Sequence, residues 1–202
     1  MNRHEQRVVA MQSVYQHLLL GKDIRKCVFD VMKGSNDIDG YLYSLTMGTV
    51  ENKEAFEQKI NELLRDDWDF DRLSMLEQAI LLISFQEILA NDTPKAVVIN
   101  EAITLAKKYC DDNGIELICV TSPITPGVMK NLGMEKVDGL FTSFFEEQNV
   151  TYYNFNKARL DILARKETDY GDKEGHMGGE LAERYSEVLA EVLKGHFNNT
   201  LE

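Results

Sequence analysis

Apolar residues recur at every third or fourth position through residues 1–112, the spacing of one face of an α-helix. Polar clusters and glycines punctuate the pattern. Residues 33–36 (KGSN) predict a helix end, and Thr93 and Pro94 predict the N-cap and first position of a later helix. Gly48 is a weak point in what is predicted to be one long helix or two in series. This part of the chain is therefore predicted to be a helical bundle.

The pattern changes after residue 112. Residues 115–120 (IELICV) form a continuous apolar run, typical of a strand buried on both faces, and residues 150–155 (VTYYNF) predict a second strand. Residues 121–126 are expected to form a loop, whereas residues 138–147 and 177–197 have helical spacing. The fold class is therefore predicted to be α+β in two parts, an all-α helical bundle over residues 1–112 and a partial parallel α/β segment over residues 113–202.

A parallel sheet of two strands is small, and two or three helices are not expected to cover both of its faces. The exposed faces would then pack against the helical half or against a second copy of the chain. The second arrangement predicts a homo-oligomer, such as a homodimer whose sheet continues across the two chains.

Charge and cysteine content narrow the function classes. The 202 residues include 34 acidic and 22 basic side chains, a net charge of −12, and acidic residues outnumber basic ones in both halves. The net charge therefore excludes a protein that binds nucleic acid through overall positive charge. It does not exclude binding through a local patch of basic side chains. Three cysteines without CxxC spacing favour neither a disulfide framework nor a zinc site. With no secretory signal or membrane-spanning run visible, we expect a cytoplasmic protein without cofactor or membrane contact.

Three motifs carry a resemblance to a known family. Residues 7–15 (RVVAMQSVY), 76–87 (LEQAILLISFQE) and 94–107 (PKAVVINEAITLAK) resemble helices of the NusB family of bacterial antitermination factors, the last almost letter for letter. The resemblance covers the helical half and implies an all-α fold there. The family's closing helix, with its Phe-Val-Asn-Gly motif, is absent after residue 112.

The resemblance implies partners as well as a fold. Members of the family bind boxA-type single-stranded RNA together with NusE, a ribosomal protein of the small subunit, in an RNA polymerase antitermination complex. Arg3 and Arg7 match RNA-contacting positions, and His4 stands where the family often has another arginine. Tyr15 is expected either to stack on a base or to pack in the core. The alternative for Arg3 and Arg7, one helical turn apart, is an ordinary solvated helix face.

Two acidic residues also match positions of the family motifs. The resemblance implies that Glu87 faces the protein partner, whereas Glu101 is expected to cap or orient a helix.

The second half resembles a different family. Residues 170–180 (YGDKEGHMGGE) and the helix after them resemble the C-terminal part of an SGNH/GDSL-type hydrolase, in which an Asp and a His complete a serine triad. Asp172 and His176 match that pair. The Gly-Asp-Ser block of those enzymes is missing, and Ser122 at a predicted strand end is not in a nucleophile elbow. We therefore expect no enzymatic activity, with His176 held by Asp172 in a loop near a helix N-terminus.

Three hypotheses follow from the sequence. The first is a non-catalytic NusB-like RNA-binding adaptor with an α/β tail. The second is an SGNH-type hydrolase remnant that uses Asp172 and His176 as its acid and base. The third is a chimeric chain without an independent function.

Overall fold

The computed structural model describes residues 1–64, 69–158, 160–171 and 177–198, except for the side chains of residues 132 and 134–137. The chain forms two compact units, Met1–Glu116 and Leu117–Glu202. We call the first the helical unit and the second the α/β unit. The division falls close to the boundary predicted at residue 112.

The helical unit consists of consecutive helices whose ends match their local sequence. Its elements are α1 (Arg3–Leu20), α2 (Ile24–Val31), α3 (Gly40–Tyr43), a π-helical turn (Ser44–Gly48), α4 (Thr49–Glu51), α5 (Lys53–Asn61), a 3-10 turn (Phe70–Arg72), α6 (Met75–Ala90) and α7 (Lys95–Asp112). Both α1 and α6 begin with a capping box, built on Asn2 and Ser74 respectively. α1 ends at Gly21, whose φ of 61° is the left-handed conformation that glycine adopts without strain.

The core of the helical unit surrounds α6, which packs against α1, α5 and α7. A helix that is apolar on nearly every face must be buried on most sides. The buried side chains around it include Ala10, Met11, Val14, Leu42, Leu45, Phe56, Ile60, Ala79, Leu82, Ile83 and Leu105. Each large aliphatic or aromatic side chain among them contributes about 1.5–3 kcal/mol by leaving water. The predicted helical bundle is thus present, with α6 as its central helix.

The segment between α2 and α6 is more broken than the one long helix, or two in series, predicted from its spacing. Gly48 closes the π-helical turn, and Gln86 of α6 packs directly against it. A Cβ atom at Gly48 would lie 2.6 Å from Nε2 of Gln86. That amide is already bonded, because it donates to Ser44 Oγ at 2.9 Å and its oxygen accepts from Asn52 at 3.2 Å. The predicted weak point is therefore a close contact between two helical segments.

α7 begins one residue later than predicted. Pro94 has an extended backbone with ψ of 130° and is itself the N-cap residue, so the helix starts at Lys95. Thr93 does not cap the helix, since no side-chain hydrogen bond caps α7, and its backbone N–H donates to the carbonyl of Glu87 at 3.3 Å.

The α/β unit contains a parallel pair of strands with helices before and after the second strand. Its elements are β1 (Ile118–Thr121), α8 (Pro126–Leu132), α9 (Met134–Glu147), β2 (Thr151–Asn154), a 3-10 turn (Glu167–Asp169) and α10 (Gly179–Phe197). The strands pair in parallel, with Ile118 opposite Thr151. Both predicted strands and both predicted helices are present. α8 was not expected from the sequence; Thr125 caps it and Pro126 occupies its first position.

Helices of the α/β unit contact both faces of the strand pair. Adjacent residues of a strand point to opposite faces. The Tyr152 ring stacks on Phe145 of α9 with centroids 4.6 Å apart, and the Tyr153 hydroxyl lies 2.8 Å from Nδ1 of His196 in α10. Each face thus contacts a helix, but the coverage is incomplete because Val120 of β1 is 40% exposed. The expectation that the helices leave part of the strand pair exposed agrees with this, whereas the expectation that β1 is buried on both faces is wrong.

Hydrogen bonds fix the loop that follows β1. The Asn156 side chain is almost fully buried; it accepts from the backbone N–H of Ile124 at 2.8 Å and donates to the carbonyl of Ser122 at 3.0 Å. Arg165 donates to the Ile124 carbonyl at 2.8 Å and to the Asn156 side-chain oxygen at 2.8 Å. The buried polar groups of the loop are thus satisfied within the α/β unit.

The contact between Gly48 and Gln86 leads to a test of the helical packing. We expect Gly48→Ala to lower the free energy of unfolding by about 1–3 kcal/mol, because the added methyl group overpacks a fully bonded buried amide. Urea denaturation measures the loss. Gly40→Ala is the matched control, since no atom lies within 4 Å of a Cβ there. Equal stabilities of the two variants would contradict the proposed close packing.

Candidate functional site

Arg7 and Glu87 form a buried ion pair that joins α1 to α6. Nε of Arg7 donates to Oε2 of Glu87 at 2.9 Å, and Nη2 donates to Oε1 at 2.5 Å. Only 8% of the Arg7 side chain and 3% of the Glu87 side chain are exposed. Two parallel bonds between a guanidinium and a carboxylate fix the orientation of both groups as well as their distance.

Three further side chains extend this pair, and we call the five together the Arg7–Glu87 cluster. The Tyr41 hydroxyl of α3 donates to Oε1 of Glu87 at 2.8 Å. Oε2 of Glu101 in α7 lies 3.4 Å from Nη1 of Arg7 and 2.9 Å from Nδ1 of His4. The cluster therefore connects α1, α3, α6 and α7. Glu101, expected to cap or orient a helix, contacts two side chains of α1.

The cluster changes the acid–base properties of its members. Burial alone would raise the pKa of Glu87, but hydrogen bonds from Arg7 and Tyr41 outweigh it and leave the pKa below its ordinary value. The hydrogen bond to Glu87 raises the pKa of Arg7, against the effect of burial. Burial, reinforced by the hydrogen bond to Glu87, raises the pKa of Tyr41. At neutral pH the cluster thus holds a charged pair with a neutral phenol.

The structure brings together two residues that the sequence assigned to different partners. Arg7 was expected on the RNA side and Glu87 on the protein side, yet each is the other's main contact in the interior. The alternative of a solvated face is wrong for Arg7, because its side chain is buried. Neither residue presents its charge at the surface. Periodicity could not have indicated this, since the two positions are far apart in the chain.

Arg3 is the exposed arginine of this end of α1. Its guanidinium carbon lies 3.9 Å from the centroid of the Tyr41 ring, and Nη1 donates to Oε1 of Gln6 at 3.2 Å. His4 is partly exposed beside it through its contact with Glu101. Of the predicted RNA-contacting residues at the start of α1, Arg3 is thus the one whose charge faces solvent.

Tyr15 lies away from the Arg7–Glu87 cluster, in a groove between α1 and α7. Its ring faces Tyr109 with centroids 6.1 Å apart and planes inclined by 51°. A hydrogen bond with Tyr15 raises the pKa of Tyr109. The groove has a volume of about 480 Å³ and is lined by Val8, Met11, Gln12, Tyr15, Gln16, Val31, Lys108, Tyr109, Asp112 and Asn113. The sequence pattern had indicated only a packing role for Tyr109.

Only one candidate residue of the second half, Ser122, lies within the described part of the chain. Asp172 and His176 lie outside the described residues. Ser122 follows β1, and its carbonyl accepts the Asn156 amide. Among the described residues no group of three or more His, Cys, Asp or Glu side chains is arranged to hold a metal ion. No helix in the described part of the chain is long and apolar enough to cross a membrane.

The buried ion pair leads to a stability prediction. We expect Glu87→Gln to lower the free energy of unfolding by about 3–5 kcal/mol at neutral pH, because it leaves the buried Arg7 guanidinium without its main counter-charge. Urea denaturation provides the measurement. Glu54→Gln, at an exposed position of α5, is the control and should change stability by less than about 0.5 kcal/mol.

The same pair makes the free energy of unfolding depend on pH. Because the pKa of Glu87 is lower in the folded state, its contribution is fully present above the unfolded-state pKa near 4.5 and is lost as the pH falls through the folded-state value. The wild-type chain should therefore lose more stability than Glu87→Gln as the pH is lowered below 4.5. Parallel stability curves for the two proteins over this range would contradict the assignment.

Comparison with known proteins gives the helical unit a family. Residues 4–118 match the NusB family. The transcription antitermination protein NusB of Staphylococcus epidermidis is 32% identical over 121 residues, which covers 58% of this chain and 93% of that protein. The protein of the same name from Sulfurovum sp. is 33% identical over 119 residues, 57% of this chain and 91% of that protein. The SGNH/GDSL resemblance of the second half is not supported by these comparisons. The family match spans more than half of the chain and nearly all of the helical unit, and the chain belongs to the NusB family.

Proposed function

We propose that this chain is a transcription antitermination adaptor that binds boxA-type single-stranded RNA through its helical unit. NusE, the small-subunit ribosomal protein, would bind with it in an RNA polymerase antitermination complex. The observation that carries the proposal is the coincidence of the family match, residues 4–118, with the compact unit Met1–Glu116. The relatives that match this part of the chain are named as transcription antitermination proteins.

Two features of the helical unit have the chemistry that single-stranded RNA requires. Such RNA is bound by cations along its backbone and by aromatic side chains on which unstacked bases lie. The exposed guanidinium of Arg3 supplies a cation, with His4 beside it. The half-buried Tyr15 ring, paired with Tyr109 in an open groove with amide side chains among its lining, supplies a stacking surface. Arg7 is buried in its ion pair with Glu87 and holds the N-terminal part of α1, which carries Arg3, against α6.

The charge of the chain favours a complex over binding by the chain alone. With a net charge of −12, few cations are available to neutralise phosphates. A protein partner that adds contacts would raise the affinity for the same RNA. On the α6 and α7 side, Leu89 and Ile99 are 56% and 58% exposed and offer apolar contacts to such a partner. Glu87 would then act by holding α6 in place, since its carboxylate is enclosed.

The proposed function is non-catalytic and belongs in the cytoplasm. It needs no cofactor, and it gives Asp172 and His176 no role. A homo-oligomer stays a prediction; light scattering coupled to size-exclusion chromatography measures the mass of the particle directly.

Arg3 is the first residue to test. Full-length chain is titrated with boxA-type single-stranded RNA at about 50 and 200 mM salt. Wild type should bind more weakly at the higher salt. We expect Arg3→Ala to weaken binding and to make the slope of log K against log salt less negative by about 0.7, because one phosphate contact is lost. Arg25→Ala, an exposed arginine on α2, is the matched control. Equal slopes for both variants would contradict the role of Arg3.

Tyr15 is expected to behave differently. Tyr15→Leu should cost about 1–3 kcal/mol of binding free energy, the value of one base stacked on an aromatic ring, with the salt slope unchanged. The same titration, with thermal unfolding as a control for folding, provides the measurement. Wild-type affinity in a folded Tyr15→Leu protein would leave Tyr15 with the packing role alone.

A further inference from the structure

Tyr41 occupies a position between the buried and the exposed arginines of α1. Its ring centroid lies 3.9 Å from the guanidinium carbon of Arg3 and 5.9 Å from that of Arg7. The first distance is that of a guanidinium stacked on an aromatic face. At the other end of the ring, the hydroxyl donates to Glu87. Neither the sequence patterns nor the family motifs singled out this tyrosine.

The backbone that carries Tyr41 is also held in place. Asp39 caps α3 by accepting from the backbone N–H of Leu42 at 2.9 Å. The same carboxylate accepts from Nε2 of Gln6 in α1 at 2.9 Å. These hydrogen bonds lower the pKa of Asp39, so the carboxylate stays charged at neutral pH. The Tyr41 ring is therefore fixed relative to α1 by contacts at both of its ends.

A fixed ring restricts the side chain that lies on it. An exposed arginine samples many rotamers, and each hydrogen bond to a phosphate requires that this freedom be lost. Arg3 is held over the ring and bonded at Nη1 to Gln6, whose amide also bonds Asp39. A guanidinium that stacks by its face keeps its N–H groups in its own plane, parallel to the ring, so a phosphate can accept them at the edge of the guanidinium.

We infer that Tyr41 is a positioning residue of the RNA site, whose ring presents the Arg3 guanidinium to a phosphate of single-stranded RNA. This inference rests on the proposed function. In this proposal Tyr41 acts through Arg3, whose guanidinium lies over its ring. An aliphatic residue of similar size would fill the space without attracting the cation.

A double-mutant cycle with full-length chain and boxA-type single-stranded RNA tests the inference. Tyr41→Leu should weaken binding by roughly twofold to fivefold, the range expected for one exposed cation–π contact. In the Arg3→Ala background the same substitution should have an effect of less than about twofold, because the group that it positions is gone. Tyr41→Phe keeps the ring and should restore wild-type affinity, although it removes the hydrogen bond to Glu87 and lowers the thermal unfolding temperature.

A second measurement reads the stacking without RNA. In NMR spectra the Arg3 Hδ protons should show an upfield ring-current shift in wild type and Tyr41→Phe that is absent in Tyr41→Leu. Failure of wild type to bind RNA would overturn the proposed function and this inference with it. Binding by wild type with additive losses in the cycle, or a Tyr41→Phe protein as weak as Tyr41→Leu, would overturn this inference alone.

Discussion

The buried pair of Arg7 and Glu87 is the constraint on which the helical unit depends. Two opposite charges in the interior are tolerated only when they meet in good geometry, so α1 and α6 have one acceptable register. Tyr41 and Glu101 bond the same two groups, which extends the requirement to α3 and α7. A packed apolar core accepts small rearrangements more readily than a bidentate ion pair does. The cluster therefore selects one arrangement of the four helices. The apolar core stabilises that arrangement but does not by itself select it.

In the proposed RNA site, the buried pair leaves one of the two arginines of α1 as structural support and the other as the residue that contacts RNA. The two arginines lie one turn apart on α1, but one is buried and the other is exposed. Arg7 points inward to the Glu87 carboxylate, whereas Arg3 lies on the outer side against the Tyr41 ring. The surface that a partner meets is consequently small, one oriented cation together with an aromatic groove. Because the net charge of the chain is −12, few cationic side chains are available to contact phosphates. The proposed affinity therefore depends on the orientation of each cation more than on the number of cations. The proposed binding by an acidic member of this family is argued on this basis.

The sequence predicted the helices and strands better than it predicted the site. α1, α2, α6, α7, α9 and α10 were all expected, since apolar periodicity reports which face of a helix is buried. The π-helical turn before α4 was missed because it depends on the contact between Gly48 and Gln86, which no local pattern encodes. The ion pair was missed for the same reason. Family motifs identified Arg7 and Glu87 as special residues, but only the fold shows that they bond each other.

The groove between α1 and α7 is complete only after both helices have been synthesised. Its two tyrosines come from the first and the last helix of the helical unit. During translation, Tyr15 leaves the ribosome long before Tyr109, so a nascent or prematurely terminated polypeptide has one wall of the groove only. Under the proposed function, such an incomplete chain lacks half of the stacking surface offered to RNA. The aromatic pair therefore forms only when the whole helical unit has been synthesised.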